Sequence, residues 1–249
     1  MRLIKFDVFQ DLVALIEAHR KEICVFEITD NLQSRKILLD LLPTSNSQTG
    51  QDLMAIFKND FKLGGFFVEI GATDGVGISN TLMLAQEFQW KGILCEPSAF
   101  WKENLVKNRP ESIIETRCCW SKSGEIVEFL ESNENELSTI SRFSASDSYG
   151  KVRKRGKKYN VETVSLEDLL VENGAPLTID FLSIDTEGSE YFILRDFPFH
   201  KYRFNLVVVE HNFGPRRSDI QDIFARAGYA LVFKNLSAQD FWFVPEVTS

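Results

Sequence analysis

Phe66-Phe-Val-Glu69-Ile-Gly71-Ala-Thr-Asp74-Gly75-Val-Gly77 is a short apolar run that ends in a glycine-rich, acidic turn. The glycines permit a tight bend and let a ligand approach the backbone closely. Helical periodicity follows over residues 79–88, so the segment reads as strand, turn and helix. The same unit recurs downstream. Residues 92–96 predict a second strand, 99–108 a helix, 113–119 a third strand and 126–130 a shorter, more exposed one. Residues 166–173 predict a helix capped by Ser165, with Asp168 at its third position. Runs 179–184 and 206–209 are apolar enough for strands buried on both faces. Residues 228–233 and 241–244 predict a closing antiparallel pair. Strands alternating with helices imply an α/β, doubly wound sheet.

Outward from this core the pattern changes. Residues 1 to about 43 read as helical: Val8, Leu12, Leu15 and Ile16 recur at helical spacing, and a second apolar run stops at Pro43. A polar loop covers 44–50, and 51–58 starts another helix. We therefore divide the chain into a helical extension, residues 1–46, and a main domain, residues 47–249. Residues 132–158 are long and polar and read as an insertion or mobile loop.

The 249 residues suit one α/β domain with an added segment, and 44% hydrophobic with 26% charged residues is a globular composition. Twenty-one Phe against five Tyr predict a core rich in apolar rings. A formal net charge of −8 argues against a nucleic-acid surface, which needs clustered Lys and Arg. One basic run, 151–158, stands against that trend and reads as a solvated loop or as a patch for an anionic substrate. Cys24, Cys95, Cys118 and Cys119 lack metal-ligand spacing and read as small buried apolar residues in a reducing compartment. The first residues are interrupted by charge, unlike a secretory leader, and no run approaches the ~18 apolar residues of a membrane span. The expectation is a cytoplasmic protein.

Ligands of open α/β sheets sit beyond the carboxyl ends of the strands. The first such turn is not G-x-G-x-x-G, because Gly71 and Gly75 are four apart with Asp74 between them. Acidic residues there repel a pyrophosphate and attract a methioninium group, which favours S-adenosylmethionine over NAD. Glu96, at the end of the second strand, is placed to accept hydrogen bonds from ribose hydroxyls. Trp120, before Ser121-Lys122, either stacks on an adenine or is a buried structural ring. Two later strands end in Asp185-Thr-Glu187-Gly-Ser-Glu190 and in Glu210-His211-Asn212. Asp185, Glu210 and His211 either hold Mg²⁺ or Mn²⁺, or supply a general base in His211 or Asp185. His19 and His200 have no supporting cluster and read as surface residues.

These strings resemble the FkbM-type methyltransferases, a branch of the class I S-adenosylmethionine-dependent enzymes. The resemblance runs from about Ser47 to Val244. It rests on Ser47-Gln-Thr-Gly50-Gln-Asp52, on Gly65 to Val76 with Ser79-Asn80-Thr81, and on Trp90 to Pro97 with Asn108-Arg109. Asp180 to Glu190 and Val209 to Asn212 complete it. It implies a Rossmann-like sheet of seven strands with the last antiparallel. It implies cofactor contacts from Glu69, Gly71, Asp74, Gly75, Asn80, Glu96, Ser121, Asp185 and Glu187, with methyl transfer near Asp185, Glu210 and His211. Its members mostly methylate hydroxyls of sugars, glycolipids or polyketides, so a small-molecule or glycan acceptor is implied. A non-catalytic module that keeps the fold is the rival reading. The first 43 residues lie outside these motifs and either cover the substrate pocket or mediate self-association.

Overall fold

The computed structural model describes residues 19–145, 150–153 and 155–246. The helical spacing of Val8, Leu12, Leu15 and Ile16 lies outside them. The described residues begin within helix α1 (through residue 28), followed by α2 (Leu32–Leu41), where Asn31 caps the N-terminus by accepting from the backbone N–H groups of Gln33 and Ser34. After a 3₁₀ turn at Pro43 comes α3 (Gln51–Lys58). The alternating unit follows: β1 (Phe66–Ile70), α4 (Leu82–Phe88), β2 (Lys91–Cys95), α5 (Lys102–Asn108) and β3 (Ile113–Glu115). Then come β4 (Cys118–Trp120), β5 (Ile126–Glu131), β6 (Thr139–Ile140), α6 (Gly150–Arg153) and β7 (Lys157–Ser165). The chain continues through α7 (Leu166–Glu172), β8 (Thr178–Ile184), α8 (Glu190–Leu194), β9 (Arg203–Glu210), α9 (Arg217–Arg226), β10 (Tyr229–Val232) and β11 (Asp240–Pro245).

Seven strands form the main sheet in the order β10-β11-β9-β8-β1-β2-β3. The last strand, β11, runs antiparallel to both neighbours, and the pairings from β9 to β3 are parallel. Successive strand residues face opposite sides. Thus Val68, Leu182 and Val207 join one core cluster with α7 and α9, while Phe67, Phe181 and Leu206 join the other with α3 and α4. Cys24, Val25, Ile28 and Leu38 of the front helices belong to that second cluster. Burying such a side chain contributes about 1.5–3 kcal/mol, so the described part of the extension is anchored by the sheet it covers. All four cysteines are buried and free. Among the described residues no helix is long and apolar enough to cross a membrane.

Three expectations change. The apolar run 113–119 is not one strand. Arg117 donates from its backbone N–H and its guanidinium to the Glu115 carboxylate (2.7 and 2.6 Å), which turns the chain out of the main sheet. β4 then pairs with β7 in a second sheet of order β4-β7-β5-β6. The polar stretch 132–158 is also partly built, with β6, α6 and the start of β7. β7 pairs antiparallel with β5, supported by the Phe129–Tyr159 ring pair and the Lys158–Glu128 ion pair. Helices α4 and α5 begin three residues later than the periodicity predicts; ahead of α4, Ser79 and Thr81 are recruited to Glu69.

Candidate active site

The carboxyl ends of β1, β2, β8 and β9 surround a cleft of about 1140 Å³, open mouth included. Gly71 lies on its wall with φ +89°, and a Cβ there would sit 1.8 Å from the Asp185 carbonyl oxygen. Only glycine lets these two loops pass. Asp185 N–H donates to the Ile70 carbonyl (2.9 Å), and Gly71 N–H to that of Cys95 (2.9 Å), so three strand ends are tied together.

Glu69 is buried and accepts from Asn80 N–H (2.8 Å), Thr81 Oγ1 (2.6 Å) and Ser79 Oγ (3.1 Å). Burial raises its pKa, opposed by the Arg109 charge and by these donors. Asn80 also lines the cleft; its Nδ2 donates to Ser183 Oγ (2.9 Å), while its buried Oδ1 has no partner. Glu96 accepts from Thr73 N–H (3.0 Å) and Ser98 N–H (2.8 Å), and burial pushes it up to about 7. Asp74 and Gly75 are not on the wall. Asp74 accepts from Val76 and Gly77 N–H, and Gly75 packs on Arg109, so both shape the turn. Ser121 is likewise outside the lining. Trp120 is buried and stacks on Phe192 (5.1 Å), with Arg142 over its ring at 4.0 Å, which fits the structural alternative.

On the other wall, carboxylate oxygens of Asp185, Glu187 and Glu210 lie within 4.8 Å of one another. Burial raises Asp185. Burial, and then the charges of Asp185 and Glu187, raise Glu210 well above the usual range. The Asp185–Glu210 contact favours the ionised form of Asp185 and the protonated form of Glu210. Glu187 meets a cation: Arg153 Nη2 lies 2.7 Å from its Oε2. Glu190 turns back to accept from Thr186 and Gly188 N–H (both 3.0 Å) and fastens the start of α8.

His211 joins neither the cleft wall nor the carboxylate group. Its ring packs against Phe241 (4.2 Å), and its Nδ1 accepts from Phe213 N–H (3.1 Å). Burial, then the Arg217 charge, lower it to about 4. A recess beside the cleft, which shares Gln48, Asp185 and Glu210 with it, adds Gln51 and Asp240. Gln51 Nε2 donates to Asp240 Oδ2 (2.8 Å), and burial pushes Asp240 up to about 7.

Sequence reasoning did not single out Gln48, Gln51, Ser183, Gln239 or Asp240, nor Glu136, Leu137 and Ser138 of the insertion. The two N-terminal glutamines and Ser183 sit in recognised strings; the others carry no local signal. Thr73, Ile78, Glu187 and Asn212 line the cleft with φ of 48°, 51°, 60° and 38°, a concentration of backbone strain expected of functional sites.

The family model for the methyltransferase FkbM domain matches residues 69–231. No curated protein matches the sequence significantly. Among solved structures, a methyltransferase FkbM from Methylobacillus flagellatus KT is similar at 13% identity and a TM-score of 0.45, over 94% of this chain and 60% of that one. This chain thus spans less than two thirds of that relative's length. Precorrin-6y C5,15-methyltransferase from Geobacter metallireducens GS-15 follows at 9% identity and 0.43, over 81% and 89%. A TehB-like SAM-dependent methyltransferase from Corynebacterium glutamicum ATCC 13032 Kitasato stands at 9% and 0.39, over 86% and 97%. With a family model covering more than half its length, the chain belongs to the FkbM methyltransferase domain family.

Proposed function

We propose that the chain transfers the methyl group of S-adenosylmethionine to a hydroxyl of a neutral, hydroxyl-rich acceptor of the sugar, glycolipid or polyketide type. In this reading residues 47–249 are the methyltransferase domain and 1–46 a helical extension of it. The observation that carries the proposal is the charge of the cleft wall. It includes Glu69, Glu96, Glu136, Asp185, Glu187 and Glu210, and none of its lining residues is Lys or Arg. Such a wall suits a cationic cofactor and disfavours an anionic acceptor. From the basic run 151–158, Arg153 offsets one of these carboxylates, Glu187, while Lys158 pairs with Glu128 on the second sheet.

The donor set fits the cofactor. Glu96, which lines the cleft, is assigned to accept from the ribose hydroxyls. Glu69 and the unpartnered Asn80 Oδ1 are assigned to its ammonium end, and Gly71 leaves room for close approach. When bound, S-adenosylmethionine supplies an electrophilic methyl group on a sulfonium leaving group. The protein orients the acceptor and takes its proton. A hydroxyl with a pKa far above 7 needs a base, and the ionised member of the Asp185–Glu210 pair is assigned that task. The test is methyl transfer to a panel of neutral glycosides and their phosphorylated counterparts, alongside calorimetric titration of the cofactor. Turnover of neutral members is expected. Transfer to phosphorylated members alone, or to amines alone, overturns the acceptor class. Absence of cofactor binding overturns the whole reading.

A further inference from the structure

We propose that Arg153 is the resident cation of the Asp185–Glu187–Glu210 cluster and holds the place that a divalent metal would otherwise take. By number and chemistry the three carboxylates resemble a hard-cation site, with oxygens within 4.8 Å of one another. Their positive charge comes instead from the chain. Arg153 is wholly buried, with Nη2 2.7 Å from Glu187 Oε2 and Nε 2.7 Å from the Leu137 carbonyl oxygen. The same Oε2 accepts from Asn212 Nδ2 (3.1 Å), which leaves it poorly placed to ligate an ion. A buried guanidinium bonded to a carboxylate is anchored, since separating the two would strand an unpaired charge. Mg²⁺ and Mn²⁺ would have to bind beside it, against repulsion in a partly desolvated site. The donor set therefore does not fit a metal while Arg153 is in place.

Arg153 arrives with the insertion. Its helix α6 and the Thr139 hydroxyl, which donates to the Glu187 carbonyl (3.0 Å), both grip the loop after β8. Arg153 is thus a positioning residue. It holds Glu187 at its left-handed φ of 60° and keeps the neighbouring pair free of metal. The catalytic meaning of this rests on the proposed placing of the acceptor, but the test uses neither acceptor nor cofactor, so the two can fail separately.

The test is a Mn²⁺ titration of the full chain by electron paramagnetic resonance. The wild type, Arg153→Lys and Arg153→Gln are compared, the glutamine keeping a donor for the Leu137 carbonyl. The wild type and the lysine variant should show no stoichiometric site. Arg153→Gln should bind one Mn²⁺ at least about tenfold more tightly than the wild type, as removal of a unit charge at this range implies. Adding Glu187→Gln should abolish that site. A merely structural arginine would change the melting temperature and leave Mn²⁺ binding unmoved. Stoichiometric Mn²⁺ binding by the wild type overturns the proposal whether or not the variants fold. A folded Arg153→Gln that gains no site overturns it as well.

Discussion

Glu210 and His211 are neighbours at the end of one strand, and the fold sends them to different places. Glu210 lines the cleft; the His211 ring packs on Phe241 and leaves the wall to its neighbours. One residue along a strand reverses the side chain's direction, and sequence alone does not say which of the pair faces the ligand. Both carry chemistry that suits a base, so both were candidates. Glu210→Gln, nearly isosteric, should lower kcat by roughly 10²–10⁴, the usual worth of a positioned acid or base. Cofactor affinity should stay within about threefold, a difference under 1 kcal/mol. Kinetics beside calorimetry decide this, and equal losses in both would remove Glu210 from proton transfer. His211, lowered to about 4, stays neutral from pH 5 to 8. The pH–rate profile over that range should therefore keep its shape in His211→Leu, while an inflection lost with the imidazole would restore it as the base.

Elements were legible where their chemistry is local. Ser165 before an apolar run predicts the start of α7, and its Oγ accepts from Asp168 N–H at 3.0 Å. Ser165→Ala should cost about 1 kcal/mol in denaturant unfolding, and a change under a few tenths would mean that water or Ser123 replaces the cap. The glycine turn after β1 and the buried strands β8 and β9 were equally plain, because composition and periodicity state them directly. The break between β3 and β4 was not. It is made by Arg117, which bonds Glu115 beside it and Glu172 from α7 (2.5 Å), a contact that no local pattern announces. β7 was hidden for another reason. Its first half is paired on the exposed second sheet, so Lys157 and Lys158 make a strand resemble a solvated loop. The same concealment covered Glu136, Leu137 and Ser138, which reach the cleft only because the insertion folds back over it.

At the scale of the molecule, the cleft is closed by residues from the two ends of the described chain. Gln51 of α3 bonds Asp240 of β11, and Asp240 faces Glu210 across the β9–β11 pairing. The front helices therefore fix a buried acid beside the proposed proton-accepting pair. Burial, and then the Asp185 charge, raise Asp240 from 3.8 to about 7. An acid raised on folding favours the folded state fully below its unfolded pKa, and this contribution is lost as the pH climbs through the folded value. Without ligand, the folded protein above pH 7 thus carries an unfavourable anion that it lacks near pH 4. Asp240→Asn keeps the oxygen that accepts from Gln51 and removes that charge. It should stabilise the ligand-free protein by roughly 1–3 kcal/mol at pH 8, with the gain shrinking toward pH 4. A cation bound in the cleft acts oppositely, because it makes the anion favourable. S-adenosylmethionine should therefore raise the melting temperature of the wild type more than that of Asp240→Asn, and the neutral sulfide S-adenosylhomocysteine should narrow the difference. Calorimetric melts at pH 4, 6 and 8 check both arms. A stability gain independent of pH would show that Asp240 has the same pKa folded and unfolded, so that burial does not raise it.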